Sequence, residues 1–534
     1  MGEQATGSQW WDTAVGYEVY IRSFADADGD GTGDLPGLID RLDHLEALGI
    51  DVVWITPFMP SPGADHGYDV ADYRDIDPLF GTLDDFDRLI AEAHGRGIRI
   101  LVDIVPNHTS SRHPWFVDAA FGPDSDHRDW YLWRDPAPDG GPPNNWVSYF
   151  GGPAWTFDEA SGQYYCHLFL PEQPDLDWRT PAVRAAFDDV LRFWLDRGAD
   201  GFRIDVAHAL LKDPSFRDNP QISEIPPGAD PMNTFLSFDH LHDLDQDDNV
   251  EIFRRWNRVA AEYDALLLGE IALDDFDRVR RYSDGGDALH RVFALRTTWM
   301  AWNPDYVAAS VRELASTVGA GVAWAFSCHD QPRPVTRFGG GAKGAERAML
   351  LTTLSLALDG MPFLYQGQEL GIGDGEPLGG VREDPIAVRN QGAAGRDGCR
   401  TPMPWSGGPQ NGFTTAAESW LPAAARPSGE TVEAQNSEPG SWLERHQVLL
   451  SLWRELRGDA DAPAELLPTD HDLLVAARRG RIMAVANLAE HNTDADLPDG
   501  EWTVVFSSRD GRSDETLRGP VAVPPETTLL LRRA

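Results

Sequence analysis

Gly201-Phe-Arg-Ile-Asp-Val-Ala-His208 sets an arginine and an aspartate two positions apart in an otherwise apolar run. A run this short and apolar reads as a buried strand. Period-two alternation then puts Arg203 and Asp205 on one side of it. A guanidinium beside a carboxylate favours the ionised acid, so Asp205 is expected to be charged where its strand ends. Three more acids close apolar runs in the same way: Asp103 in Ile98–Val105, Glu270 in Leu266–Ile271 and Asp330 just after Ala323–Ser327.

Working outward, the other short apolar runs are Val15–Ile21, Val52–Ile55, Val292–Leu295 and Phe363–Tyr365. Stretches of helical period fall between the runs, among them Leu83–Ala93, Ala182–Leu195, Val250–Tyr263 and Ala345–Leu358. About eight such β/α units predict an α/β protein built on a (β/α)8 barrel. Two long insertions break the rhythm. Residues 107–177, rich in Trp, Pro, Gly and Tyr, follow the third strand. Residues 371–440, rich in Gly, Pro and Arg, follow the eighth. Both leave the carboxyl ends of strands, where barrel sites form, and are expected to shape a pocket. After about Arg457 the pattern changes to alternating runs such as Ile482–Asn487 and Trp502–Ser507, which predict a C-terminal antiparallel β-domain. The expected organisation is therefore a first barrel part over 1–106, an inserted domain over 107–177, a second barrel part over 178–457 and a β-sandwich over 458–534.

The chain has 534 residues and a formal charge of −41, from 45 basic and 86 acidic residues. Phosphate backbones and anionic lipid need basic patches, so nucleic acid and membrane are excluded as partners. Only Lys212 and Lys343 are lysines. Cys166, Cys328 and Cys399 have no CxxC spacing, which argues against a disulfide framework or a zinc site. The opening Met1–Asp12 carries no basic region or apolar core, and no run of about 18 apolar residues exists. The expectation is a cytoplasmic monomer or weak homo-oligomer.

The strand ends read Asp103-Ile-Val-Pro-Asn107-His108, Arg203-Ile-Asp205-Val-Ala-His208, Gly269-Glu270 and His329-Asp330. Each alone is weak, since an acid at a strand end also caps helices. In this order on barrel strands they resemble the four signature regions of the α-amylase superfamily of glycoside hydrolases. Gln173-Pro-Asp-Leu-Asp-Trp178, Gly367-Gln-Glu369 and Arg400-Thr-Pro-Met-Pro-Trp405 resemble motifs of its α-glucosidase and oligo-1,6-glucosidase branch.

The resemblance implies Asp205 as nucleophile, Glu270 as general acid/base and Asp330 as the carboxylate that stabilises the transition state. It further implies that His108, Arg203 and His329 contact the reacting sugar, and that Asp65 and Tyr68 hold and stack on the terminal glucose. Phe150 and Phe169 match aromatic walls, and Arg396, with Arg400 as the alternative, matches an arginine that binds the same glucose. The implied substrates are short α-glucosides, opened with retention and with transglucosylation as a companion activity. The alternatives are an oligo-1,6-glucosidase, an enzyme that transfers or isomerises glucosyl groups of sucrose or trehalose, and a non-catalytic member of the same fold. Val206, next to the nucleophile, resembles the α-1,6 type, whereas Ala207-His208 and Cys328 depart from the branch pattern, so linkage stays open.

Asp26-Ala-Asp28-Gly-Asp30-Gly-Thr32-Gly-Asp34 is a second motif. Acids at the first, third, fifth and ninth places with glycine at the sixth match a calcium loop, although Gly37 stands where an EF-hand has its bidentate glutamate. The expected cofactor is a structural Ca2+ or Mg2+ held by Asp26, Asp28, Asp30, the Thr32 carbonyl and Asp34.

Overall fold

The computed structural model describes residues 9–390, 395–460 and 462–534. The opening Met1–Ser8, inspected above for a leader, lies outside the described residues, as does part of the second insertion, 391–394.

Eight parallel strands close into a barrel: β1 (Gly16–Val19), β2 (Val52–Ile55), β3 (Arg99–Ile104), then, beyond a small sheet of β4 (Trp133–Arg134), β5 (Trp155–Asp158) and β6 (Gln163–Cys166), the strands β7 (Gly201–Ile204), β8 (Leu266–Ile271), β9 (Arg291–Ala294), β10 (Val322–Ala325) and β11 (Met361–Tyr365). Neighbours follow chain order around the ring, and β11 returns to β1. The sheet between β3 and β7 has the antiparallel order β4-β6-β5. All eight expected barrel strands are present, and the (β/α)8 reading holds.

Alternation explains why apolar strands can carry charge. Val52, Trp54, Leu101, Leu266, Leu268, Phe293, Ala323, Ala325, Met361 and Phe363 form one buried cluster inside the barrel. Their neighbours in sequence, such as Val53, Val102 and Leu267, join the larger core between strands and helices. Continuing the inward parity by one step places Asp103, Arg203 and Glu270 at the carboxyl end of the lumen, above that apolar plug. Gly16 permits this filling, since a Cβ there would stand 2.3 Å from the Phe363 ring.

The helices follow their expected phases. Leu83–Gly95 starts at a capping box, with the Asp85 amide donating to the Thr82 side chain and the Thr82 amide donating to the Asp85 carboxylate. It buries Phe86, Leu89, Ile90 and Ala93 on one stripe. Beyond the barrel, strands between Ala464 and Arg533 form a seven-stranded antiparallel sheet backed by a two-stranded one, with Leu474, Val485, Trp502 and Val523 in the core between them.

Strand boundaries differ from expectation by one or two residues. The strand carrying Arg203, expected over Gly201–Val206, stops at Ile204, because Val206 lies in the left-handed region (φ 42, ψ 44) and turns the chain. A β-branched residue seldom adopts that conformation.

Candidate active site

The inward polar layer converges on Arg203, which is 1% exposed. Its Nη1 donates to Asp205 Oδ1 at 2.6 Å and to Asp103 Oδ1 at 3.2 Å. Its Nη2 lies 2.7 Å from Glu270 Oε2. One guanidinium thus holds the carboxyl groups of three strand ends together, with its cation 4.6 Å from the centre of the Trp54 ring. Glu270 Oε2 also accepts the Val206 amide at 3.0 Å. The left-handed turn at Val206 therefore joins the β7 end to the β8 end.

Three carboxyls share one cation here. Burial pushes Asp205 well above its ordinary value; Arg203 works against this, and the charges of Glu270 and Asp103 reinforce it. The low value expected from the Arg203–Asp205 pair is thus corrected, because burial and two neighbouring acids outweigh one shared guanidinium. Burial likewise lifts Asp103 to about 7, against the pull of Arg203 and a hydrogen bond from Trp54.

Asp330 is the opposite case. Burial would raise it, but the His329 ring and the guanidiniums of Arg396 and Arg400 outweigh burial and hold it well below the usual carboxylate range. Arg396 Nη1 reaches Asp330 Oδ1 at 2.9 Å and Arg400 Nη2 reaches the same atom at 2.6 Å. Asp103 and Asp205 are thus shifted up, and Asp330 down.

These groups open onto a cavity of about 650 Å3. Asp65, Tyr68, His108, Phe150, Phe169 and Arg396 line it together with Asp205, Glu270 and Asp330. Arg203, His329 and Arg400 sit one layer deeper, each 1% exposed. Between the two candidate arginines, only Arg396 lines the cavity. It bonds Asp65 Oδ1 at 3.0 Å and both oxygens of Asp384 at 2.9 Å, with its cation 5.4 Å from the Phe150 ring centre. Arg400 braces the site from behind, donating to the His329 carbonyl at 2.9 Å and lying over Tyr20.

Burial raises Asp65 to about 6 despite Arg396 and Arg400. Burial lowers His108 to about 4, so the ring is neutral at physiological pH. Tyr68 stacks on His329 at 5.4 Å and donates to Asp103 at 3.2 Å. Phe169 packs on Tyr149 and on His108 at about the same separation, 5.0 and 5.1 Å.

Several partners were missed in the sequence. Glu18, 1% exposed, lies 2.5 Å through Oε1 from His329 Nδ1, and burial pushes its carboxyl well up. The signal that picked Asp103 and Glu270, an acid inside an apolar run, was available at Glu18 in Val15–Ile21. Asp384, fully buried under Arg396, lies in an irregular insertion and offered no such signal. Lys212 was noted only for rarity. It is buried, with Nζ 2.7 Å from Asn107 and 2.8 Å from Asp175, and it ties the Gln173–Trp178 segment to the third strand end.

In the acidic loop, ligand-type oxygens of Asp26, Asp28 and Asp34 come within 4.8 Å of one another. Three converging carboxylates suit a hard cation. Asp30, outside that group of three, accepts the Thr32 amide at 2.7 Å. Asp34 also caps helix Leu35–Asp40, accepting the Gly37 amide at 2.6 Å.

A parallel barrel whose carboxyl end gathers paired acids, neutral histidines and an arginine at a sugar-sized cavity is the site of a barrel glycosidase. Comparison with known proteins makes this specific. Residues 18–457 match the model of the alpha amylase catalytic domain. A probable alpha-glucosidase of Rhizobium meliloti (strain 1021) is 39% identical over 507 residues, covering 92% of this chain and 91% of that one. An oligo-1,6-glucosidase of Heyndrickxia coagulans is 37% identical over 558 residues, covering 96% and 98%. The crystal structure of the alpha-glucosyl transfer enzyme XgtA superposes with a TM-score of 0.89 at 36% identity, covering 98% of this chain and all of that one. The chain belongs to the α-amylase family, among its α-glucoside hydrolases of the α-glucosidase group. Among the described residues, no helix is long and apolar enough to cross a membrane.

Proposed function

We infer that this protein is a retaining exo-acting α-glucosidase that releases glucose from the non-reducing end of short α-glucosides. The observation that carries the reading is Arg203 holding Asp205 at 2.6 Å and Glu270 at 2.7 Å on its two terminal nitrogens. Retention needs two carboxyls about 5–5.5 Å apart, one ionised and one protonated, and sharing a guanidinium keeps such a pair close.

Asp205, in the ionised form that its 2.6 Å bond from Arg203 favours against burial, attacks the anomeric carbon while Glu270 gives its proton to the leaving oxygen. The C1–O bond breaks and a glucosyl ester forms on Asp205. Glu270, now a carboxylate, takes a proton from water, whose oxygen displaces Asp205 and yields glucose of the original α configuration. Asp330, kept anionic by Arg396 and Arg400, favours the positive charge that grows on the ring. Asp65 and Arg396 close the glucose end of the cavity, with Phe150, Phe169 and Tyr68 as its walls. His108 presents a neutral ring to the same end. Arg203, His329 and Arg400 act from behind by orienting the acids that face the sugar.

The second arm of the reading is transfer, in which a sugar hydroxyl replaces water. α-1,6 linkages are the alternative to α-1,4, supported by Val206 beside the nucleophile. A structural Ca2+ on Asp26, Asp28 and Asp34 would stiffen the loop after β1. Asp205→Asn removes the nucleophile and keeps its shape. Turnover of an aryl α-glucoside is expected to vanish while the circular dichroism spectrum and glucose binding persist. Activity retained in that variant refutes the assignment. NMR of products from maltose, isomaltose, trehalose and sucrose reads linkage and anomeric outcome together.

A further inference from the structure

His108 lines the cavity, and burial lowers its pKa to about 4, so the ring holds a single proton at physiological pH. Which nitrogen carries that proton decides what the ring offers a sugar. Nε2–H is a donor to a hydroxyl oxygen, and a bare Nε2 is an acceptor. On the cavity side the neighbours of Nε2 ask for opposite answers. The Tyr68 carbonyl, 3.0 Å away, calls for a proton there. The Gln173 side-chain nitrogen, also 3.0 Å away, calls for a lone pair. That nitrogen is held as a donor, because Gln173 Oε1 accepts the Leu170 amide at 3.0 Å.

On the far side of the ring, Nδ1 bonds Asn107 Nδ2 at 3.1 Å. A side-chain amide turned over would present oxygen instead, so Asn107 decides the proton only if its own orientation is held. Lys212 holds it. The side chain of Lys212 is 1% exposed, and an ammonium has only hydrogens to give. It donates to Asn107 Oδ1 at 2.7 Å and to the Ala209 carbonyl at 2.5 Å, and it pairs with Asp175 Oδ2 at 2.8 Å. The Asn107 oxygen therefore faces Lys212. Its two amide hydrogens go to Asp175 Oδ1 at 3.0 Å and to His108 Nδ1. Turned over, Asn107 would set its nitrogen against the ammonium and its oxygen against the Asp175 carboxylate, leaving buried polar groups unpaired.

We propose that Lys212 is a positioning residue for glucose recognition: through the Asn107 amide it fixes the proton of His108 on Nε2, so that the ring meets the sugar as a donor. Lys212 is not on the cavity wall and acts across two side chains. A donor at His108 complements the acceptor Asp65 at the same end of the cavity. The sugar's part in the proposal rests on the glucosidase reading above, whereas the place of the proton rests on this network alone.

The test reads the proton directly. The imidazole nitrogens are isotope-labelled and followed by proton–nitrogen correlation NMR, and the His108 signals are those lost in His108→Gln. Wild-type protein is expected to show Nε2 protonated and Nδ1 bare. In Lys212→Met the Asn107 amide is free to turn, and part of the His108 population is expected to carry its proton on Nδ1. Because Lys212→Met strips Asp175 of its cation, the pair Lys212→Met with Asp175→Asn is measured beside it. That pair buries no unpaired charge, and the same change is expected. Glucose affinity, read by calorimetry with Asp205→Asn added to each protein, is expected to fall about two- to thirteenfold in both, the worth of one neutral hydrogen bond. A proton on Nε2 alone in the folded variants overturns the proposal, as does a wild type protonated on Nδ1. A moved proton with unchanged glucose affinity overturns the role in recognition. Wild-type protein that cleaves no aryl α-glucoside overturns the glucosidase reading and the sugar's part in the proposal, while the NMR arm still decides the place of the proton.

Discussion

Asp384→Asn probes how the glucose end of the cavity is built. Asp384 is fully buried, and its two oxygens take Arg396 Nε and Nη2 at 2.9 Å each. Arg396 spends its remaining reach on Asp65 at 3.0 Å and Asp330 at 2.9 Å. Asparagine keeps the volume and one acceptor, but turns the other oxygen into a donor facing a donor. One charge-assisted hydrogen bond to a buried guanidinium is lost, about 1.5–3 kcal/mol. If that loss is felt wherever Arg396 must hold Asp65 and Asp330 in place, kcat/KM falls about 10- to 160-fold. The assay is steady-state hydrolysis of an aryl α-glucoside, with circular dichroism and thermal melting on the same samples. The fold is expected to persist with a lower Tm. Wild-type kcat/KM in a folded Asp384→Asn enzyme, within about twofold, would refute the claim that Asp384 positions Arg396 for catalysis.

Asp65 supplies a pH prediction. Its carboxyl is raised to about 6, and only the ionised form pairs with Arg396. Glucose affinity, read by calorimetry in Asp205→Asn so that no turnover intervenes, should weaken as pH falls through about 6; a midpoint near 4 contradicts it. Because the folded value lies above that of the unfolded chain, the contribution of Asp65 to stability falls as pH rises from about 4 to about 6. For Glu18, burial favours the neutral acid. Glu18→Gln should therefore keep kcat/KM within about threefold, whereas Glu18→Ala frees the His329 ring and should cost about tenfold or more, on the scale of a buried hydrogen bond; equal damage from both refutes it. In the acidic loop, a chelator should lower Tm and added Ca2+ should restore it, by up to about 2.7 kcal/mol at a hundredfold excess over Kd. An unchanged Tm with and without chelator argues against a bound ion at Asp26, Asp28 and Asp34.

Alternation and order along the chain were enough to read the barrel. Apolar runs such as Val52–Ile55 and Leu266–Ile271 can be satisfied only by strands buried on both faces, and Pro and Gly clusters marked the insertions after the third and eighth strands. The acids at the strand ends were legible for the same local reason. A charge at the end of an apolar run needs a partner or a task, and four such ends in barrel order leave few folds to choose from. The loop Asp26–Asp34 was legible as a cation-type motif, and three of its four acids come together.

What the amino-acid sequence determined by itself is what depends on periods and neighbours: the eight strands, the helices between them, and which acids face the lumen. Tertiary structure alone decided what depends on approach through space. It put Arg396, already preferred to Arg400, on the cavity wall and Arg400 behind it, since both belong to an irregular insertion whose path no period describes. It set Glu18 under His329 across 311 residues of chain and Asp384 under Arg396. It also set burial and the Glu270 and Asp103 charges against Arg203 at Asp205, because a pKa answers to burial and to every nearby charge, and these are known only once β3, β7 and β8 have brought their ends together around one guanidinium.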